Sequence, residues 1–217
     1  MSLLLTLQLS LAYALVGSVA LLNIRGPTIS VLMMLSGVSL LLMPLNLAWL
    51  LQAHGRMVIR APQRGAIQLG RGVRINSPFR SNLVGLATPT VLQCLGAGRI
   101  SIGDHSGCSG VVFSAWAGIQ VGRHVQIGGN VRVYDHDFHL LDYRVRRDPA
   151  RDRRECAAEP VFIGDDMFIG ANAIILKGVH IGECSLIGAV VTQKEIPPDS
   201  LVIGNPAQVR AQQSPAR

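Results

Sequence analysis

An isoleucine that recurs every sixth residue in the second half of the chain constrains the fold most. A small or apolar residue stands four positions after each isoleucine, and glycine directly follows four of the five. A fixed short period of this kind indicates a repeat architecture. We predict a triangular coil in which each hexad gives one short strand and one turn, with isoleucine pointing inward. The repeated positions are Ile163, Ile169, Ile175, Ile181 and Ile187.

Less regular copies of the six-residue repeat precede this block. Three hexads should complete one coil, so these copies predict further coils stacked below. A stretch from residue 80 to 98 does not follow the period, as expected for an atypical terminal repeat. The inward positions of these copies are Ile102, Cys108 and Ser114, then, after a slip of one residue, Val121, Ile127 and Val133, with Leu69 and Ile75 in a weaker first coil.

The segment 134–160 interrupts the repeat and is rich in histidine, arginine and acidic residues. An excursion from a regular solenoid is where a functional site is expected. The arginine-rich part, 144–154, is typical of a solvated loop, and it could also recognise a phosphorylated or nucleotide-linked acceptor.

The first 54 residues have a different character, because residues 1–24 and 29–52 contain no charged side chain. Each run is long enough to cross a hydrocarbon core of ~30 Å as a helix. We therefore predict a transmembrane helical hairpin over 1–54. A signal peptide would need basic residues before its apolar core, which are absent. A re-entrant hairpin that enters the bilayer without crossing it remains the alternative.

Charge is distributed unevenly along the chain. Residues 1–103 contain eight arginines and no acidic residue, whereas 104–217 are close to neutral. The arginines that follow the second apolar run predict a cytoplasmic orientation by the positive-inside rule, with the protein in the inner membrane. They do not indicate nucleic-acid binding, which would need a basic face with stacking aromatic residues. The predicted organisation is a hairpin (1–54), a basic juxtamembrane linker with an irregular coil (55–99), a repeat domain (100–210) and a tail (211–217).

Three stretches give the chain a family resemblance between about Ile100 and Arg210. It resembles the hexapeptide-repeat acyltransferases, in particular the maltose/galactoside-type O-acetyltransferases. The resemblance implies a left-handed parallel β-helix, acetyl-CoA as co-substrate, and a homotrimer with active sites between neighbouring subunits. The matching stretches are Val133-Tyr134-Asp135-His136-Asp137-Phe138-His139, the run from Phe168 to Val179, and Gly204-Asn205-Pro206-Ala207.

The resemblance also implies which residues act on the acceptor. His139 matches the general base of relatives best, because Asp142 follows it at the same spacing. His136, followed by Asp137 and an aromatic residue, is the alternative base. A neutral imidazole can take the proton of a sugar hydroxyl as the oxygen attacks the thioester. Either Asp137 or Asp142 could fix the histidine tautomer.

The resemblance places the donor and the developing oxyanion near the later hexads. The backbone N–H of Ala171 is the implied oxyanion donor, and Phe168 stands where relatives commonly have a tryptophan near the acceptor. The stretch from Ile187 to Pro197 is about one residue shorter than in relatives. The implied acetyl-CoA contacts are Gly170, Gly188, Ala189, Thr192 and Lys194.

These features predict an acetyl-CoA-dependent O-acetyltransferase. The hairpin favours a membrane-associated glycan precursor, of exopolysaccharide, capsule or lipopolysaccharide, over a soluble sugar. A non-catalytic β-helix scaffold at the membrane is a second hypothesis. A carbonic-anhydrase-like metal enzyme is a third, but it would need three converging histidines, and we predict no metal site. The four cysteines show no metal-binding spacing and are expected to be reduced.

Overall fold

The computed structural model describes residues 21–25, 28–35, 52–77 and 79–212. Strands dominate these residues, and two short helices lie in the excursion 134–160. The elements, in chain order, are β1 (Leu21–Arg25), β2 (Thr28–Leu35), β3 (Gln52–Ala61), β4 (Ile67–Leu69), β5 (Arg74–Asn76), a 3-10 turn (Phe79–Ser81), β6 (Val91–Cys94), β7 (Ile100–Ile102), β8 (Gly107–Ser109), β9 (Val112–Ala115), β10 (Ile119–Val121), β11 (Gln126–Gly129), β12 (Arg132–Tyr134), α1 (Tyr143–Arg146), α2 (Pro149–Glu155), β13 (Val161–Ile163), β14 (Phe168–Ile169), β15 (Ile174–Ile175), β16 (His180–Ile181), β17 (Leu186–Val191), β18 (Glu195–Ile196), β19 (Ser200–Gly204) and β20 (Gln208–Ala211).

The strands stack into three parallel faces, and the chain visits the faces in the same order in each coil. The first face contains β4, β7, β10, β13, β16 and β18. The second contains the start of β3, then β5, β8, β11, β14, the start of β17, and β19. The third contains the end of β3, then β6, β9, β12, β15 and the end of β17. The predicted parallel β-helix is therefore confirmed.

The core is a column of apolar side chains inside this prism. All five isoleucines of the regular repeat are buried, with relative exposures of 0–3%. Each lies opposite the inward residue of the coil below, as in the pairing of Ile175 with Val133. Burying an isoleucine in every hexad removes a large apolar area from water and stabilises the stack at ~25 cal/mol per Å².

One inward position differs from the prediction. Phe113, rather than Ser114, lies opposite Val133 on the third face, and Phe113 is fully buried. Phenylalanine buries far more apolar surface than serine, so the strand takes the register that places its ring inside. The one-residue slip in the repeat is thus divided between two corners. The corner before Phe113 is one residue short, because Cys108 and Phe113 are five apart. The corner after Phe113 is longer than in a regular hexad.

Part of the predicted hairpin is described, and it is not helical. β1 and β2 pair antiparallel with each other, and β2 continues the sheet from β3. This corrects the helical prediction where the two apolar runs overlap β1 and β2. An edge strand such as β3 presents unpaired N–H and C=O groups, which pairing with β2 satisfies. Residues 52–54 of the predicted hairpin begin β3, and its remaining parts, 1–20, 26–27 and 36–51, lie outside the described residues. Within the described ranges, no helix has both the length and the apolar character needed to cross a membrane.

Extra residues recur in successive coils where the third face meets the first face of the next coil, whereas the corner between the second and third faces has one long insertion, between Ile75 and Leu92. We call the corner between the third and first faces the insertion edge. The inward residues that flank it should be six apart, but Leu92 and Ile102 are ten apart, Phe113 and Val121 eight, and Val133 and Ile163 thirty. Three consecutive coils thus extend outward at the same edge, which is how repeat proteins build a binding surface.

A later corner is shortened, as the corner before Phe113 is. Between the second and third faces, Ile169 and Ile175 are six apart, but Ile187 and Val191, which stack on them, are only four apart. The shortened corner leaves β17 as one continuous strand that contributes to both faces. The stretch that resembles the coenzyme end of the family is therefore two residues shorter at this corner than the hexad next to it.

Two of the four cysteines are core residues, whereas Cys184, which occupies a repeat position and was expected to pack inside, is exposed. Cys94 and Cys108 are buried, and burial raises the pKa of the Cys94 thiol to about 11 and that of Cys108 to about 12. Cys156 and Cys184 are also free thiols. Because the thiolate is the reactive form, Cys94 and Cys108 are inert packing residues at neutral pH.

Candidate active site

A pocket of about 560 Å³ opens on the insertion edge. Each of the three extended coils contributes to its wall, with Leu95 and Gly96 from the first, Trp116 from the second, and the excursion from the third. β3 and α2 supply the remaining residues. The complete lining is Arg60, Leu95, Gly96, Trp116, His136, Asp137, Phe138 and Arg153.

A buried histidine–carboxylate pair forms one wall of this pocket. His136 Nδ1 lies 2.9 Å from Asp135 Oδ1, and both side chains are essentially inaccessible to solvent. The carboxylate of Asp135 also accepts hydrogen bonds from the backbone N–H groups of the turn Trp116–Gly118. The ring of His136 packs against Trp116 and Phe138. Asp135 therefore fixes both the histidine and the inserted turn of the coil below.

A second histidine–carboxylate pair lies at the surface of the excursion. His139 Nδ1 is 2.6 Å from Asp152 Oδ2, and the other carboxylate oxygen accepts from the N–H of Leu140. The hydrogen bond from His139 is the main cause that lowers the pKa of Asp152 below its ordinary value. The His139 side chain is 69% exposed, whereas that of Asp152 is 10% exposed. The imidazole is thus bound to Asp152 through Nδ1, while Nε2 stays accessible to a substrate.

The carboxylate that orients His139 differs from both predicted candidates. Asp137 binds Lys177, with 2.6 Å between Oδ1 and Nζ. Asp142 caps α1 by accepting from the N–H of Arg144. The orienting residue is Asp152, in the first turn of α2, which was not among the residues predicted from sequence.

A helix start is visible at Asp148-Pro149, since Asp caps helices and Pro suits the first helical position. This signal would have placed Asp152 in the first turn of a helix. Nothing in the sequence shows that this helix folds back over His139, so the pairing required the structure.

The predicted donor-side residues are divided between two edges of the prism. Gly170 and Ala171 lie at the corner between the second and third faces, next to the outward-facing and half-exposed Phe168. Gly188 and Ala189 lie in the shortened corner of the next coil. Thr192 and Lys194 lie at the insertion edge, where Lys194 pairs with Glu159.

His139 and Ala171 are therefore not brought together within one chain. His139 belongs to the insertion edge, and Ala171 to the corner at the opposite side of the third face. A site that used both residues would have to be completed by a second copy of the chain.

Metal ligands are not clustered in the described part of the chain. No group of three or more histidine, cysteine, aspartate or glutamate side chains there is arranged to hold a metal ion.

Comparison with known proteins identifies the family. Residues 160–192 match the family model described as the hexapeptide repeat of succinyl-transferase. A hexapeptide-repeat acetyltransferase of Vibrio cholerae O1 biovar eltor, solved with acetyl coenzyme A, is 33% identical. The match covers 68% of this chain and 72% of that one, with a TM-score of 0.51. The chain belongs to the hexapeptide-repeat acetyltransferase family.

Two curated relatives of this hexapeptide-repeat protein match over a shorter stretch. A Schizosaccharomyces pombe protein assigned as an acetyltransferase is 38% identical over 91 residues, 42% of this chain and 41% of that protein. YvoF of Bacillus subtilis, also assigned as an acetyltransferase, is 33% identical over 92 residues, 42% of this chain and 46% of that protein. The chain thus spans less than half the length of these two relatives.

Proposed function

We propose that this protein is an acetyl-CoA-dependent O-acetyltransferase that acts on a sugar hydroxyl. The observation that carries the proposal is the His139–Asp152 pair, an exposed imidazole held by a carboxylate on the excursion of a β-helix. Membership of the hexapeptide-repeat acetyltransferase family supports the reaction type, and the Vibrio cholerae relative solved with acetyl coenzyme A supports the donor.

In the proposed reaction, Nε2 of His139 accepts the proton of the acceptor hydroxyl while that oxygen forms a bond to the thioester carbonyl carbon. The C–S bond then breaks, and the coenzyme A sulfur leaves with the proton returned by the imidazolium. Asp152 keeps Nδ1 protonated, so that Nε2 presents its lone pair, and stabilises the imidazolium. The N–H of Ala171 is the proposed donor to the oxyanion.

A homotrimer is part of the proposal, because His139 and Ala171 lie at different edges of one chain. The excursion of one subunit would then meet the second-to-third-face corner of its neighbour. The donor would contact Gly170, Gly188 and Ala189 in the groove between subunits. Thr192 and Lys194 are the proposed contacts near the phosphates or adenine. Phe168, which is half exposed, is proposed to face the acceptor.

The proposed acceptor is a membrane-associated glycan precursor at the cytoplasmic side of the inner membrane. Residues 1–20 and 36–51 contain no charged side chain, and the segment that follows contains arginines without acidic residues. Uncharged apolar segments favour membrane association, and arginines beside them favour an anionic lipid surface.

The test compares wild type with His139→Ala. We expect wild-type cells to contain acetyl esters on an envelope glycan and the variant to lack them, with a loss of ~10²–10⁴-fold in transfer rate for the purified enzyme. Calorimetry should show unchanged acetyl-CoA binding by the variant. Full transfer by His139→Ala would overturn the assignment of the base. A wild-type protein that does not bind acetyl-CoA would favour a non-catalytic scaffold.

A further inference from the structure

Two arginines line the pocket on the insertion edge without an acidic partner. Arg60 comes from β3 and Arg153 from α2. The neighbouring arginines of α2 are paired, because Arg151 and Arg154 both bind Glu155. Neither Arg60 nor Arg153 has a side-chain hydrogen bond or ion pair among the described residues. All aspartates and glutamates of the chain lie between residues 104 and 199, so the described part contains every acidic side chain.

The carboxylate in the lining does not neutralise this charge. Asp137 is bound to Lys177, so its negative charge is already matched. The pocket is therefore left with the charge of two guanidinium groups. Guanidinium groups that line one concave surface without an acidic partner suit a phosphate or a carboxylate, which each can bind in bidentate geometry.

Aromatic side chains complete the pocket. Trp116 and Phe138 line it on either side of His136, and the Phe138 side chain is more than half exposed. Aromatic faces beside polar groups suit the apolar face of a sugar ring. The lining thus combines a ring-binding surface with a cationic end.

The pocket extends away from the coils that carry the proposed donor contacts. Along the insertion edge, the strand of Arg60 lies three coils before β12, which leads into His136. With ~4.8 Å between neighbouring strands, this is roughly 14 Å. Thr192 and Lys194 lie on the other side of the excursion, between the end of β17 and β18, which stack on β15 and β16. The pocket therefore lies on the N-terminal side of His139, whereas the proposed acetyl-CoA contacts lie on its C-terminal side.

The pocket also adjoins the proposed base. Phe138 directly precedes His139, and Arg153 directly follows Asp152. A ligand between the aromatic residues and the two arginines would therefore lie next to the His139–Asp152 pair, with its anionic group directed toward the N-terminal coils.

We propose that this pocket binds the acceptor and that the acceptor is an anionic sugar, held through a phosphate or carboxylate group by Arg60 and Arg153. The inference rests on the proposed acetyltransferase function and specifies its substrate class. The two possible anionic groups share one recognition chemistry, and the experiment distinguishes them.

The experiment measures binding of three probes to the purified full-length protein by saturation-transfer NMR and calorimetry. The probes are glucose 1-phosphate, glucuronate and unmodified glucose. We expect at least one anionic probe to bind ~10-fold or more tightly than glucose, and Arg153→Gln and Arg60→Gln to remove that preference. Preference between the two anionic probes identifies the group. Arg154→Gln removes the same charge from the same helix outside the pocket and should keep wild-type binding.

Acetyl-CoA affinity, measured in parallel, separates this inference from the proposed function. We expect it to be unchanged in all three variants. The inference is overturned if glucose binds as tightly as the anionic sugars, if no probe binds, or if Arg154→Gln weakens binding as much as Arg153→Gln. It is also overturned if Arg153→Gln weakens acetyl-CoA instead, which would assign the arginines to the phosphates of coenzyme A. Failure of wild type to bind acetyl-CoA would instead contradict the proposed function.

Discussion

Burial separates the roles of two histidines that are three residues apart. His136 and His139 each place Nδ1 on a carboxylate, but His136 is enclosed by Trp116 and Phe138 while His139 is largely exposed. A general base must reach the proton that it accepts, so accessibility favours His139. The rigid His136–Asp135 pair fits better as the wall on which the acceptor is placed.

Asp152→Asn tests the orienting role assigned to this carboxylate. We expect kcat to fall by ~10²–10⁴-fold with little change in KM for acetyl-CoA, because an amide no longer fixes the productive tautomer of His139. Steady-state kinetics with the purified enzyme checks this. Asp148→Ala is the comparison, since it removes the cap of α2 and leaves Asp152 in place. Equal losses in the two variants would mean that Asp152 acts only through the stability of α2.

Sequence spacing alone did not identify the carboxylate that orients His139. Spacing suggested Asp142 as the partner of His139, but a side chain at that position caps its own helix, since α1 begins directly after it. Asp152 is 13 residues from His139, and only the folding of α2 back over the loop brings the two together. Sequence spacing describes local contacts well and carries little information on such a return.

At the scale of elements, Asp135 joins two coils. Its carboxylate accepts three backbone N–H groups from the inserted turn after β9 and contacts His136 after β12. The insertion in one coil is thus held in shape by Asp135, at the start of the excursion in the next coil. The pocket walls depend on this connection.

We therefore expect Asp135→Ala to lower the free energy of unfolding by about 2–4 kcal/mol, because backbone donors lose their acceptor. Urea denaturation followed by circular dichroism measures the change. Asp199→Asn, at an exposed turn where asparagine tolerates the positive φ, should change stability by less than about 0.5 kcal/mol. A loss in Asp135→Ala no larger than this would show that the turn holds its shape without the carboxylate.

The six-residue period predicted the inward face of the later coils because each of those hexads is regular. Ile175 is fully buried, and its neighbour Ile174 faces outward. The period was less informative around Phe113, since two adjacent corners deviate in opposite directions and their effects nearly cancel. The repeat period shows only the net shift of one residue and does not show how that shift is distributed between the two corners.

Ile175→Ala should lower the free energy of unfolding by about 2–5 kcal/mol, since it opens a cavity between two stacked coils. Ile174→Ala removes the same atoms from the outer surface and should cost less than about 1 kcal/mol. Denaturation of both variants at one fixed protein concentration provides the comparison. Similar losses in the two variants would contradict the inward assignment of Ile175.

At the scale of the whole molecule, His139 and Ala171 are separated by the third face. A site that uses both residues therefore has to form between two subunits. If neighbouring subunits share each site, two inactive variants can complement each other. A trimer that contains both kinds of subunit has one interface at which an intact His139 meets an intact Ala171.

We expect a random equal mixture of His139→Ala and Ala171→Trp subunits, refolded or co-expressed together, to regain about one quarter of wild-type transfer activity. Each variant alone should stay inactive. Ala171 is exposed, so the larger side chain blocks the groove without entering the core. Activity of the mixture no higher than that of the separate variants would show that each site lies within one chain, and light scattering reports the oligomeric state directly.

The recurrence of extra residues at the insertion edge in successive coils has a consequence for how such a protein can change. Lengthening a corner at the insertion edge leaves the inward residue of the next strand in register, so the core does not have to adapt. The acceptor side can therefore diversify by small insertions while the stacking of the coils stays constant. Two proteins with the same coils could in this way differ in the sugars that they accept, and a loop exchanged between them at this edge would carry its specificity with it.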